Sequence, residues 1–146
     1  MAEQAPMKFV FYIAAPAEKV WEGFTSAESN RVIFGGAEFE AGLKPGGQMA
    51  WVGTGPDGKR VTYVHGEVIK AEPPKLLQYT FQMCGAEKFS RVTLELTQES
   101  EATKVVVTHD QWAEDDASYA ATTDGWPRIL SRLKTLIETG KTFKPH

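Results

Sequence analysis

A histidine that closes an apolar row is the residue in this chain best suited to chemistry. Val105, Val107 and His109 share one face of an alternating segment. An imidazole at the end of such a row can donate to a ligand oxygen. It can also act as a general base near neutral pH, with Tyr79 or Tyr63 as a second proton carrier. The competing reading is a core histidine bonded to a nearby hydroxyl or backbone group, because buried polar groups need partners whether or not a ligand comes. Acid–base work requires two polar groups converging inside, and no convincing pair is visible. No catalytic residue is therefore assigned, and His109 stands as the one candidate.

Binding is the better-supported chemistry. Trp51, Tyr79 and Phe81 fall on the same inward rows as their apolar neighbours, and Trp126 and Leu130 lie on an apolar stripe further on. Large aromatics at sheet–helix contacts usually form core, yet the same groups line small-molecule pockets. The expected ligand-binding set is Trp51, Tyr79, Phe81, His109, Trp126 and Leu130. No metal or cofactor is expected. His65, His109 and His146 have no ligand-like spacing, and Cys84 is the lone cysteine. Gly53, Gly55 and Gly58 fall in a hairpin rather than between a strand and a helix, so they do not form a phosphate loop. A Gly-x-Ser-x-Gly nucleophile signature is absent.

These residues need elements to position them. Trp126, Ile129, Leu130, Leu133, Leu136 and Ile137 recur at helical spacing, and Gly140 stops the helix. Asp115 or Asp116 is a candidate cap for this helical region, and Pro127 predicts a kink or a fresh start near residues 125–127. Arg128, Arg132 and Lys134 lie off the stripe and are expected on the exposed face. Asp110, Glu114, Asp115 and Asp116 read as a solvated loop and helix start. Before that region the chain alternates like strands at 37–41, 48–54, 59–72, 75–83, 89–98 and 104–112. Turn chemistry at 44–47, 55–58, 73–74 and 99–103 joins them into an antiparallel meander. An earlier strand, 8–13, precedes two short helices, 17–25 and one capped by Ser26 reaching about Phe34. On the strand at 59–72, Val64, Gly66 and Val68 alternate with Tyr63, His65, Glu67 and Ile69, and because both faces carry apolar residues the inward face is open.

Composition bounds the rest. The 146 residues are 42% hydrophobic with a net charge of −3, which suits one α+β domain over residues 1–146 with a frayed tail over 1–6. That charge makes no case for nucleic acid or an anionic membrane, and no apolar run reaches the length of a membrane span. The lone Cys84 and the absence of a basic start with an apolar run suggest a cytoplasmic protein. The assembly is open between monomer and homodimer.

Together, several of these segments resemble a known family. Residues 125–140, from Gly125-Trp126-Pro127 to Gly140, resemble its C-terminal signature. Gly66-Glu67-Val68 with Pro73-Pro74-Lys75-Leu76-Leu77 resembles its central hairpin, Pro45-Gly46-Gly47 its second hairpin, and Thr108-His109-Asp110 the end of its last strand. The family is the bacterial branch of the activator-of-heat-shock-protein-90-ATPase-like proteins, in the START-like (SRPBCC) superfamily with polyketide cyclases and birch-pollen-allergen proteins. The resemblance implies a helix-grip fold, a curved antiparallel sheet around a long C-terminal helix with a cavity between, and it implies Val64 and Val68 inward with His65 on the outer face. Where many relatives carry an acidic residue before the Pro-Gly-Gly hairpin, this chain has Gly42. The expected function is binding of a small hydrophobic or aromatic molecule in that cavity. The alternatives are a cyclase- or hydratase-like enzyme using His109 and a co-chaperone-like interaction module.

Overall fold

The computed structural model describes residues 4–83 and 86–144; Cys84 and His146 lie outside them. Strand β1 (Met7–Ile13) is followed by helices α1 (Ala17–Thr25) and α2 (Ala27–Ile33). Six strands follow, β2 (Glu38–Ala41), β3 (Gln48–Thr54), β4 (Arg60–Glu72), β5 (Leu76–Met83), β6 (Ser90–Glu99) and β7 (Ala102–Asp110), and then helix α3 (Tyr119–Thr139). All neighbouring strands pair antiparallel in the order β1-β7-β6-β5-β4-β3-β2. The curved sheet grips α3, as the apolar pattern and the resemblance anticipate.

Alternation decides which side of each strand is buried. Val92, Leu94 and Leu96 on β6, and Val105, Val107 and His109 on β7, all turn inward. On β4, Val64, Gly66 and Val68 are buried and His65 is exposed. The α3 stripe meets these rows through Trp126, Leu130 and Leu133, with Ile129, Leu136 and Ile137 half-buried beside them. At Gly23 of α1 a Cβ would lie 2.8 Å from Ile137 Cδ1 and 3.0 Å from Leu133 Cδ1. Glycine is thus what lets α1 press against α3.

The short helices are held by named contacts. Gln98 Oε1 on β6 accepts from the Ala17 backbone N–H at 2.7 Å, capping α1 from across the fold. Ser26 Oγ accepts from Ser29 N at 3.1 Å, the cap expected for α2. Asn30 on α2 is buried, and its amide donates to the carbonyls of Phe24 and Ser26 at 2.9 and 2.7 Å. These bonds fix the corner between the two helices.

Several expectations need correction. The helix begins at Tyr119 rather than at Asp115 or Asp116. Asp116 instead accepts from Ser118 N and Ser118 Oγ in a turn just before it. Of the kink or fresh start expected near residues 125–127, the fresh start is excluded, since α3 runs through Pro127. β7 ends at Asp110 because Gln111 takes φ 58°, which no strand residue adopts. The tail is tied from Gln4, which bridges to Trp112 and whose side chain donates to Ala113 O at 2.9 Å. Arg132 is not exposed: it retains 6% exposure and Nε donates to Ile33 O at 2.9 Å. Of its charged neighbours in sequence, Lys134 Nζ is also engaged, donating to Tyr12 O at 2.6 Å. Asp110 pairs with Arg91 across β6 and β7 rather than standing solvated.

Candidate functional site

A pocket of about 320 Å³ lies between the inner face of β3–β5, the chain leaving α2, and the first half of α3. Trp51, Phe81, Val64 and Met83 form its sheet side, and Ala121, Gly125, Trp126 and Ile129 its helix side. Its lining residues include no Asp, Glu, Lys, Arg or His. A smaller recess of about 20 Å³ shares Phe34, Trp51, Trp126 and Ile129 as walls and reaches Tyr79, Leu77 and Leu94 beneath.

Both indoles in the pocket are fixed from behind. Trp51 Nε1 donates to Asn30 Oδ1 at 2.9 Å, so the α1–α2 corner sets that ring. Trp126 Nε1 donates to His109 Nδ1 at 3.0 Å. Each ring spends its one polar group on a buried partner and presents apolar surface to the pocket.

This bond defines the state of His109. An indole N–H only donates, so Nδ1 holds a lone pair and the hydrogen sits on Nε2. Nε2 then donates to Ser90 Oγ at 2.7 Å, and Ser90 Oγ donates to Phe81 O at 3.2 Å. The ring stacks on Trp112 at 4.1 Å between centroids and is fully buried. Burial pushes its pKa down to about 3, against the smaller opposing pull of Asp110. His109 is a neutral structural group with both nitrogens engaged, and the pocket wall does not include it.

The other expected site residues divide as follows. Trp51, Phe81 and Trp126 line the pocket, and Tyr79 lines the recess. Leu130 is buried but lies in neither wall. Sequence reading offers Tyr63 only as an alternative proton carrier and leaves it out of the ligand-binding set, because with Val64 inward strict alternation turns it outward. Trp51 pairs with Val64 and Val52 with Thr62, which leaves Tyr63 as an extra residue in a bulge. The bulge brings its ring over Gly53, where a Cβ would lie 2.7 Å from Tyr63 Cε2. Gly53 facing an aromatic residue on the next strand was the available signal. Asn30, Thr122 and Gly125 were also missed. Of these, only the buried amide of Asn30 in a short helix departs visibly from pattern. Among the described residues no group of three or more His, Cys, Asp or Glu side chains is placed to hold a metal.

A curved antiparallel sheet closed by a long terminal helix over an interior pocket defines a helix-grip protein. The sequence matches the Activator of Hsp90 ATPase homolog 1-like protein family over residues 14–138, and the chain belongs to that family. Among proteins of curated function, none matches it. Solved structures share the fold. An HSP90 activator from Plasmodium falciparum has a TM-score of 0.75 at 18% identity, covering 90% of this chain and 95% of its own. A Cytophaga hutchinsonii protein solved in solution has a TM-score of 0.75 at 25% identity, covering 96% and 98%. The Aha1 dimer from Colwellia psychrerythraea has a TM-score of 0.74 at 19% identity, covering 94% and 99%. None of the helices is long and apolar enough to cross a membrane among the described residues.

Proposed function

We propose that this chain binds a small hydrophobic or aromatic molecule in the pocket between the sheet and α3. One observation carries the proposal: two indoles line the pocket, each with its N–H already bonded to a buried residue behind it. Flat apolar walls fixed in this way suit a ring system, and the pocket's volume falls in the usual range for small-molecule sites. Preset walls also lose little side-chain freedom when a ligand enters. The proposal carries no reaction, because the one candidate base, His109, is neutral, doubly bonded and outside the wall. We take the protein to work in the cytoplasm.

Titration with the neutral fluorophore N-phenyl-1-naphthylamine tests the proposal. Saturable binding near one equivalent is expected, with quenching of tryptophan emission that changes in Trp126→Phe. Unsaturable partitioning, or quenching unaltered by Trp126→Phe, would reject it.

A further inference from the structure

The polar groups around the recess are nearly all spent. Asn30 uses its amide hydrogens on Phe24 O and Ser26 O, and its oxygen accepts from Trp51. Trp126 gives its hydrogen to His109. Tyr79 is the exception. It is 4% exposed and lines the recess, and its hydroxyl makes no hydrogen bond to any described residue. No wholly occluded side-chain polar atom lacks a partner among the described residues, so this hydroxyl keeps open space beside it. The recess, about 20 Å³, has room for one water-sized group. A buried hydroxyl left unpaired is costly, and an incoming partner would recover that cost.

A phenol oxygen shares its lone pair with its ring, so the group gives a hydrogen bond better than it takes one. Burial also pushes the Tyr79 pKa up, which keeps the proton on. The recess walls contain no formal charge to balance an anion. We infer that the ligand is a flat, neutral aromatic carbonyl compound that enters oxygen first, its rings between Trp51 and Trp126 and its carbonyl oxygen on the Tyr79 hydroxyl. This inference rests on the binding role proposed above and adds the ligand's chemical class and orientation.

Three matched probes test it: 2-acetylnaphthalene, 2-ethylnaphthalene, which lacks the carbonyl, and 2-naphthoate, which is charged. Binding is read by tryptophan quenching and calorimetry. Wild type should favour the ketone over the hydrocarbon by about fivefold, the value of one neutral hydrogen bond, and should bind the carboxylate more weakly than either. Tyr79→Phe should erase the preference for the ketone and leave the hydrocarbon's affinity unchanged. Tyr63→Phe, at the rim, should keep the preference. With 13C-labelled ketone, the carbonyl stretch in the wild-type complex should fall below its frequency in cyclohexane, a readout independent of how any variant folds. If wild type binds both neutral probes equally, Tyr79 serves a trapped water only and the inference fails while the binding role stands. A preference that survives Tyr79→Phe, tighter binding of the carboxylate, or an unshifted carbonyl stretch also overturns it. If no probe binds, the binding role and this inference fall together.

Discussion

Arg132 Nε donates to the Ile33 carbonyl at 2.9 Å, tying the middle of α3 to the last residue of α2. The guanidinium supplies a donor to a helix-end carbonyl that has left its own ladder. It also lies 5.8 Å from the Phe143 ring centroid, so the same side chain holds the segment after α3.

Arg132→Ala should therefore destabilise the fold by about 2–3 kcal/mol, because it removes a charge-assisted bond and leaves a buried carbonyl unpaired. Leu133→Ala, at a fully buried position, should cost about 2–5 kcal/mol through the void it leaves. Urea denaturation measures both. A loss below about 0.5 kcal/mol for Arg132→Ala would place that residue on the surface.

Acid should weaken the fold through His109. Its folded pKa is lowered from 6.5 to about 3, so the neutral ring stabilises the fold fully above pH 6.5. As pH falls from there toward 3, the unfolded chain binds a proton that the folded chain refuses. Stability then drops by up to about 1.4 kcal/mol per pH unit from this group. His109→Gln, which cannot take the proton, should be less stable at pH 7 but lose less on acidification. Urea midpoints at pH 7, 6 and 5 should show the gap between the two proteins narrowing. A constant gap would mean that the ring is free to charge in the folded state. These three pH values lie above the ordinary carboxylate range, so the comparison reads His109. Glu138 is held below its ordinary value by Lys134 and the Ala14 N–H, and its support is full above that value and is lost as pH falls from there through the lowered one.

Gly125 separates binding from stability. A Cβ there meets nothing within 4 Å, and the residue sits in a helix and in the pocket wall. Gly125→Ala should raise stability by about 0.5–1 kcal/mol, the usual gain at an interior helical position. Gly125→Leu should fill the pocket and weaken N-phenyl-1-naphthylamine binding about tenfold, equivalent to ~1.4 kcal/mol. Thermal melts alongside titration read both effects. Unchanged probe affinity in a folded Gly125→Leu would move the binding site elsewhere.

Asn30→Leu should cost about 2–3 kcal/mol by stranding the Trp51 N–H and the Phe24 carbonyl, while Ser26 O keeps its bond from the Asn30 backbone N–H. It should also broaden the Trp51 indole resonance, since nothing else fixes that N–H. A sharp, unshifted resonance would show that packing alone sets the ring.

Much of this fold is legible in local sequence. Pro16 and the spacing of Val20, Trp21 and Phe24 mark α1, and the paired turn residues bound β3 to residues 48–54. Alternation finds the inward rows because one side of each strand must be dry. What escapes is set by distant partners. Arg132 lies three residues after Ile129 and four before Leu136, on the flank of the stripe, and its residue type argues for solvent. Only the position of Ile33 O explains its burial. Tyr63 escapes because one bulge reverses the phase on which alternation depends. His109 is read correctly as inward, but whether an inward imidazole meets a ligand or an indole depends on where Trp126 falls.

The pairing of β1 with β7 also orders events in time. Gln4 bonds Ala113, 109 positions away, and Met7 sits opposite His109. While the chain is being made, the first strand emerges with no neighbour to accept its hydrogen bonds. Strands β2 to β7 can zip hairpin by hairpin, but β1 waits until β7 has appeared. Its inward Met7, Phe9, Phe11 and Ile13, which pack on the core once β1 is in place, would be open to other chains through that interval. The edge of the finished sheet is thus the part of the nascent protein most in need of protection.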